Sequence, residues 1–143
     1  MSELGNESKK TYGGPLPRMS SVSQPFWDGA RRHRLVLQKS RATGTFLFYP
    51  RIVSPVSPND TLDWVEVSGH GTVVGMTIVR TANDPYLAGQ TPYVIAVVEL
   101  DEGVRMTTNI VGCDLESVHV GMKVVASYDD VTPDVTLVKF RPE

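Results

Sequence analysis

The sequence predicts a mainly β protein in which a five-stranded barrel follows one helix and an irregular segment. From Trp64 onward, runs of apolar and β-branched residues recur between short turn signals, as expected for successive strands. Upstream of Trp64, helical apolar spacing occurs in one short stretch, and the segment after it is rich in Pro, Ser and Thr. Five strands with a short helix between the third and fourth is the element order of an OB-fold barrel.

Composition divides the chain into three regions. Residues 1–22 are polar and contain several Gly, Pro and Ser residues, which predicts a flexible tail or a strap lying on another surface. Residues 23–61 are predicted to contain the helix and the irregular segment. Residues 62–143 are predicted to form the OB-fold domain.

The helix is predicted from "QPFWDGARRHRL". Ser23 is expected to cap its first turn, and Phe26 and Ala30 share one face. The basic run Arg31–Arg34 falls at the C-terminal end, where cations suit the helix dipole.

The first two barrel strands are predicted from "GTVVGMTIVR" (Gly71–Arg80) and "PYVIAVVEL" (Pro92–Leu100). The second is almost wholly apolar, which predicts a central strand covered on both faces. The loop between them, residues 81–91, is either the border of a binding face or a simple mobile connection. "DEG" after the second strand predicts a tight hairpin with Gly103 at a positive φ.

The third strand, "VRMTTNIV", alternates, which places Val104, Met106, Thr108 and Ile110 on one face. "DLESVHVG" then predicts a helical turn that ends at Gly121. "KVVASYD" and "TLVKFRP" predict the last two strands.

Four small hydroxyl residues in the irregular segment have an unusual spacing. Ser40-x-x-Thr43 is followed, after ten residues, by Ser54-x-x-Ser57. If the four residues were cysteines, this pattern of two short knuckles would be typical of a zinc ribbon.

Several stretches in a fixed order carry a family resemblance: "PFWDG", the four-knuckle spacing, "YPR", "SGHGTVVGMTIV", "PYVIAVVELDEG" and "VGMKV". Together they resemble small bacterial and archaeal proteins that join an N-terminal helix and a rubredoxin-like zinc ribbon to a C-terminal OB-fold. These proteins were long described as a domain of unknown function. They are associated with acyl-CoA metabolism, as accessory subunits of thiolase-like enzymes. The resemblance covers about Phe26 to Pro142.

The resemblance implies that Ser40, Thr43, Ser54 and Ser57 stand where the family carries four zinc cysteines. Hydroxyls do not deprotonate near neutral pH as metal-bound thiols do, so we predict no metal here. A structural zinc ion contributes on the order of 10 kcal/mol, which other contacts would have to replace. The candidates are packing by "FLFY" (Phe46–Tyr49), hydrogen bonds from the hydroxyls, or a partner surface. The alternative is that the four are ordinary loop residues with a chance spacing.

Charge and cysteine content argue against nucleic-acid-binding and secreted proteins. The formal net charge is -2, whereas a protein held to nucleic acid by phosphate neutralisation is usually basic. Cys113 is the only cysteine, so no internal disulfide can form, which fits a reducing cytoplasm. No stretch has the apolar length of a signal peptide or a membrane span. These observations predict a soluble, cytoplasmic protein that binds neither nucleic acid nor membrane.

The sequence offers no self-sufficient catalytic set. Cys113 with His70 or His119 would be the one candidate for a nucleophile and a base, and nothing in the pattern places them together. With His33, these histidines are scattered and form no ligand pattern. A buried thiol and surface histidines explain them, so we predict that the chain alone is not an enzyme.

The binding candidates lie in and near the helix. Arg31 and Arg32, with Arg80, could meet the phosphates of coenzyme A or an acidic partner surface. The alternative for the basic run is a solvated helix end. Of Phe26 and Trp27, one is expected in the core and the other could anchor an interface.

We therefore predict a non-catalytic accessory subunit of a thiolase-like acyl-CoA enzyme that performs condensation or C–C cleavage in lipid, steroid or polyketide metabolism. The helix and the metal-free ribbon would dock on the partner in a hetero-oligomer, and the barrel would close the mouth of its acyl or pantetheine channel. The alternatives are a stand-alone acyl-CoA-binding protein, with a coenzyme A thioester as ligand, and a single-stranded nucleic-acid-binding OB-fold, which rests on fold analogy alone.

Overall fold

A computed structural model describes residues 12–143 as two β units with a helix packed against them. Part of the predicted tail, residues 1–11, lies outside the described residues. The regular elements are α1 (Gln24–Arg31), β1 (Val36–Ser40), β2 (Phe46–Leu47), β3 (Leu62–Glu66), β4 (His70–Val79), α2 (Pro85–Ala88), β5 (Tyr93–Leu100), β6 (Arg105–Ile110), a 3-10 turn (Leu115–Ser117), β7 (Lys123–Asp130) and β8 (Thr136–Pro142).

The larger unit is a closed barrel with the strand order β4-β5-β6-β8-β7. β7 also pairs with β4, which completes the ring, and β6 meets β8 in parallel at Ile110 and Phe140. The 3-10 turn lies between the third and fourth barrel strands. The predicted five-stranded OB-fold barrel is therefore confirmed.

The smaller unit is a three-stranded antiparallel sheet with the order β2-β1-β3, which we call the ribbon sheet. β3 pairs with β1 along its whole length, from Val36 opposite Glu66 to Ser40 opposite Leu62. The barrel strands begin only at His70, so Leu62–Glu66 pairs within the ribbon sheet.

Helix α1 joins the two units because Phe26 and Ala30 are buried, as their spacing predicts. The helix lies so close to β1 that a Cβ added at Gly29 would be 2.7 Å from the Val36 Cγ2 atom. The prediction of a Ser23 side-chain cap is wrong. The Ser23 hydroxyl instead contacts the Ser20 hydroxyl at 3.2 Å, a local alternative open to any turn serine.

The end of α1 is tied to the barrel through His33. This residue has φ 57, a left-handed conformation that usually selects glycine, and its amide donates to the Ala30 carbonyl at 2.9 Å. The imidazole stacks on Tyr128 with ring centroids 5.1 Å apart and contacts the Asp130 carboxylate at 2.9 Å. The basic run is thereby held next to β7.

The barrel has one covered face, which corrects one prediction. In β5, Val94, Ala96, Val98 and Leu100 are buried and the alternate residues are partly exposed, so the outward face of this strand is only partly covered. The alternation of β6 and the positive φ of Gly103, 91°, are confirmed.

One hydrophobic core serves both units. Buried residues of the helix and ribbon side, Phe26, Leu35 and Leu37, belong to the same cluster as Val73 and Phe140 of the barrel. Within residues 12–143, no helix has the length and apolar character that a membrane span requires.

Candidate functional site

The hydroxyls of the two knuckles meet at a carboxylate. Ser40, at the end of β1, and Ser54, in the β2–β3 loop, each donate a hydrogen bond to Oδ2 of Asp60 at 2.6 Å. The Ala42 amide donates to Oδ1 of the same carboxylate at 2.9 Å. Ser40 is fully buried and Ser54 nearly so. Asp60 therefore joins three separate pieces of the chain at one point.

The other two knuckle hydroxyls do not reach Asp60. The Thr43 hydroxyl is exposed and donates to the Thr45 hydroxyl at 3.0 Å. The Ser57 hydroxyl accepts from the Asn59 amide at 3.2 Å. Each supports its own turn, as small hydroxyl side chains commonly do. The four predicted positions thus divide into a central pair and a peripheral pair.

The chemistry of this point does not suit a zinc ion. Serine and threonine hydroxyls are poor zinc ligands, and the Ser40, Ser54 and Ala42 groups that bond to the Asp60 carboxylate are all donors. Among residues 12–143, no group of three or more His, Cys, Asp or Glu side chains could hold a metal ion.

The hydrogen bonds also set the charge state of Asp60. Donation first by Ser40 and then by Ser54 lowers the pKa of the Asp60 carboxyl from 3.8 to about 2, with smaller help from the Ala42 and Thr61 amides. The carboxylate is thus ionised at any pH well above 2.

This depressed pKa predicts an acid-dependent loss of stability. The unfolded chain binds the Asp60 proton near pH 3.8 and the folded chain only near pH 2, so the stabilisation is complete above pH 3.8 and is lost as the pH falls toward 2. In urea unfolding between pH 2 and 6, the free-energy difference between wild type and Asp60→Asn should shrink as the pH falls. A difference that stays constant over this range would contradict the assignment.

Beside this cluster, the β2–β3 loop exposes an apolar surface, which we call the ribbon loop (Tyr49–Val56). Ile52 is 82% exposed, Tyr49 63%, Val53 59% and Val56 46%. Four large apolar side chains within eight residues are unusual on a free surface and are typical of an interaction site. Sequence reasoning assigned "FLFY" to packing, which holds for Phe46 and Phe48 but not for Tyr49.

The ribbon loop is fixed from beneath by a buried polar residue. Gln38 of β1 donates from Nε2 to the Arg51 carbonyl at 2.8 Å, and its Oε1 accepts from the Arg51 amide at 2.7 Å. Further along, the Val56 amide donates to the Ser54 hydroxyl at 3.1 Å. The backbone below the exposed side chains is therefore held at two points.

An apolar groove of about 380 Å³ begins at the ribbon loop and runs between helix and barrel. Its aromatic wall consists of Phe26, Trp27, Phe48 and Tyr49, and its barrel wall includes Met106, Leu137 and Val138. Phe26 packs on Trp27 with centroids 5.0 Å apart. The prediction that one of these two residues enters the core is met by Phe26, while Trp27 is half-buried along the groove.

The predicted phosphate-binding arginines are not brought together. Arg31 and Arg32 line a separate hollow beside Trp64, and Arg31 contacts the Asp28 carboxylate at 2.6 Å. Arg80 lies near Glu116, with its guanidinium 4.0 Å from the carboxylate.

The neighbours of the basic run carry carboxylates as well, since Arg34 lies 3.4 Å from Glu66. The cations that line the groove are instead Arg18 and Lys139, and Lys139 is paired with Asp129 at 2.6 Å. Arg18 precedes the predicted helix and gave no sequence signal.

The candidate catalytic residues also stay apart in their contacts. His70 contacts Glu143 at 3.1 Å, and the His119 ring bonds to the Ser117 carbonyl at 2.9 Å. Within the described part of the chain, no hydrogen bond joins the half-buried Cys113 thiol to either ring. This arrangement offers no activated nucleophile.

Comparison with known families gives two adjacent matches. Residues 27–53 match the ChsH2 rubredoxin-like zinc ribbon domain, and residues 64–129 match the ChsH2 C-terminal OB-fold domain. The ribbon match includes Ser40 and Thr43 and ends before Ser54.

Two relatives represent two kinds of protein. The 3-oxo-4,17-pregnadiene-20-carboxyl-CoA hydratase alpha subunit of Mycobacterium tuberculosis is 36% identical over 128 residues, which are 89% of this chain and 40% of that protein. The chain therefore spans about two fifths of that relative. A DUF35 domain-containing scaffold protein of Methanocaldococcus jannaschii is 35% identical over 104 residues, which cover 72% of this chain and 73% of the relative.

A solved structure of a similar chain is also known. The structure described as the Ltp2-ChsH2(DUF35) aldolase contains a chain that superimposes with a TM-score of 0.77 at 33% identity, covering 89% of this chain and 98% of that one. The two chains therefore share their fold over most of their length. The chain therefore belongs to the DUF35 family, in the ChsH2-like group that joins a rubredoxin-like ribbon to an OB-fold domain.

Proposed function

We propose that this chain is a non-catalytic accessory subunit of a thiolase-like acyl-CoA enzyme in lipid or steroid metabolism. The relatives support the coarser part of this proposal, a subunit of an enzyme complex. They are named as scaffold proteins, as a steroid-CoA hydratase subunit and as part of an aldolase. The observation that carries the proposal is the ribbon loop, an exposed apolar surface on a fixed backbone.

The ribbon loop suits docking because its ordering cost is met before binding. The Gln38 side chain fixes the backbone at Arg51, and Ser54 links the far end of the loop to Asp60. A loop that is already in its bound shape loses little conformational entropy on association. Ile52 and Val53, the most exposed of its aliphatic residues, would enter the partner surface.

The groove gives this docking a role. It opens beside Tyr49 at the ribbon loop, so a partner seated on the loop would also cover the groove. The aromatic wall and Arg18 would then border the mouth of the partner's acyl or pantetheine channel. The reaction would use the partner's own residues, and this chain would exclude water and position the channel mouth.

Affinity purification from the native host at native expression, with mass spectrometry of the co-eluting proteins, tests the proposal directly. A stoichiometric thiolase-like enzyme is the expected result. Elution of the chain alone would contradict the accessory role, and co-elution of a different acyl-CoA enzyme would contradict the thiolase-like identity.

Substitutions in the ribbon loop sharpen that test. Ile52→Asp or Val53→Asp should weaken the complex by roughly thirtyfold or more, because each places a carboxylate in the centre of an apolar contact. Val120→Asp is the matched control, since Val120 is 62% exposed in the loop before β7. The affinities can be compared by surface plasmon resonance against the purified partner. Equal affinities for all three variants would place the interface elsewhere.

A second candidate function, direct binding of an acyl-CoA, is favoured by the groove itself. Its apolar walls would take the acyl chain, and an anionic end would meet Arg18 or Lys139 rather than Arg31, Arg32 or Arg80. Calorimetric titration of the isolated chain with several acyl-CoAs distinguishes this function. The absence of heat at millimolar ligand would exclude it.

A further inference from the structure

We propose that the Asp60 carboxylate takes the place of a metal ion as the centre of the ribbon, which therefore folds with neither zinc nor a partner. This inference concerns how the ribbon is held together and does not depend on the proposed function. It starts from the disagreement between a family model for a zinc ribbon and residues that do not suit zinc.

The polarity of the site is the inverse of that of a zinc knuckle. In a zinc ribbon, negative thiolates surround a central cation. Here a central anion is surrounded by donors, namely the Ser40 and Ser54 hydroxyls and the Ala42 amide. Hydrogen bonds to an ionised acceptor are stronger than those between neutral groups, so a carboxylate is an effective centre.

Like a bound metal ion, the Asp60 carboxylate links parts of the chain that are distant in sequence. The bond from Ser40 spans 20 residues of sequence and the bond from Ser54 spans six, so the single carboxylate links the end of β1, the β2–β3 loop and the start of β3. Around it, the Arg41 amide donates to the Thr61 carbonyl at 2.9 Å.

The first knuckle keeps a tight turn without metal. The Gly44 amide donates to the Ser40 carbonyl at 2.8 Å, and the Thr43 amide donates to the Ser40 hydroxyl at 3.2 Å. Ser40 therefore acts twice, as a donor to the central carboxylate and as an acceptor within its own knuckle. Within residues 12–143, no buried side-chain nitrogen or oxygen lacks a hydrogen-bond partner, so the network is complete.

The chain supplies matched variants for the test. Asp60→Asn removes an acceptor and places an amide among donors, while Asp63→Asn makes the same change at an exposed carboxylate that pairs with Arg41. Ser40→Ala and Ser54→Ala remove the central hydroxyls, while Thr43→Ala and Ser57→Ala remove the peripheral ones. Should Asp60→Asn fail to fold, the single serine variants keep the test available.

The experiment is native-state hydrogen exchange of the isolated full chain, with metal analysis of the same preparation. We expect less than a tenth of an equivalent of zinc and no change in exchange with EDTA. The Ala42 and Gly44 amides should exchange at least tenfold faster in the central variants than in their matched controls, with β5 amides unchanged. Stoichiometric zinc, equal exchange in central and peripheral variants, or a ribbon protected only when a partner is added would each overturn the proposal.

Discussion

Replacing Ser40, Thr43, Ser54 and Ser57 by cysteine, together with Asp60→Ala, should produce a protein that binds one zinc ion tightly. The first and third hydroxyls are both 2.6 Å from one Asp60 oxygen, so the two knuckles already face a common point. Removing the carboxylate empties that point, and four thiolates at the spacing of a ribbon can then surround a metal. Structural zinc in small modules contributes on the order of 10 kcal/mol, so folding of the ribbon should become strictly metal-dependent.

Cobalt substitution measures this outcome, because tetrahedral thiolate coordination gives intense visible absorption that zinc then displaces. Asp60→Ala alone is the control, which should bind neither ion and should lose protection in the ribbon. If the protein with all five substitutions has no higher zinc affinity than this control, the knuckles do not share the geometry of a metal site.

Phe140→Ala should cause the largest loss of stability of any single substitution in the barrel, about 3–5 kcal/mol. Phe140 is fully buried and stands opposite Ile110, where β6 and β8 pair in parallel. Its carbonyl also accepts from the Val111 amide at 2.8 Å, so a cavity here loosens the seam itself. Small domains are stable by about 5–15 kcal/mol, so this variant would lie near the limit of folding.

Urea unfolding followed by circular dichroism measures the change. Ile52→Ala is the control, because the side chain is exposed and its removal should change the free energy of unfolding by less than about 0.5 kcal/mol. A loss below about 1 kcal/mol for the Phe140 variant would mean that the barrel collapses around the vacated space.

The barrel could be predicted because its signals are local. Alternation in "VRMTTNIV" and the turn at Gly103 each depend on residues within a few positions, and both are confirmed. The covering of β5 could not be predicted in the same way, because it depends on residues that are distant in sequence. Its outward face carries apolar residues that are partly exposed, and an apolar run does not reveal how completely each face of a strand is covered.

The candidate site could be predicted only in part. The spacing pointed to the four hydroxyl positions, because the ligands of a metal knuckle are separated by a fixed number of residues. Asp60 gave no signal, because an aspartate in a proline-rich turn is ordinary. Its role depends on a hydrogen bond from Ser40, which lies 20 residues earlier in the sequence. Gln38 was equally hidden, because nothing in strand β1 indicates that its amide will bind the backbone of Arg51.

A ribbon that is held by hydroxyls and a carboxylate also differs from a thiolate-held one in what can damage it. Peroxide oxidises thiolates up to sulfinic and sulfonic acids. A zinc knuckle that is oxidised in this way loses its metal ion and then its folded structure. The single thiol of this chain, Cys113, lies between β6 and the 3-10 turn, on the barrel. An oxidant therefore meets no cysteine in the ribbon sheet or the ribbon loop, so the exposed apolar surface of the loop should keep its shape under oxidative stress.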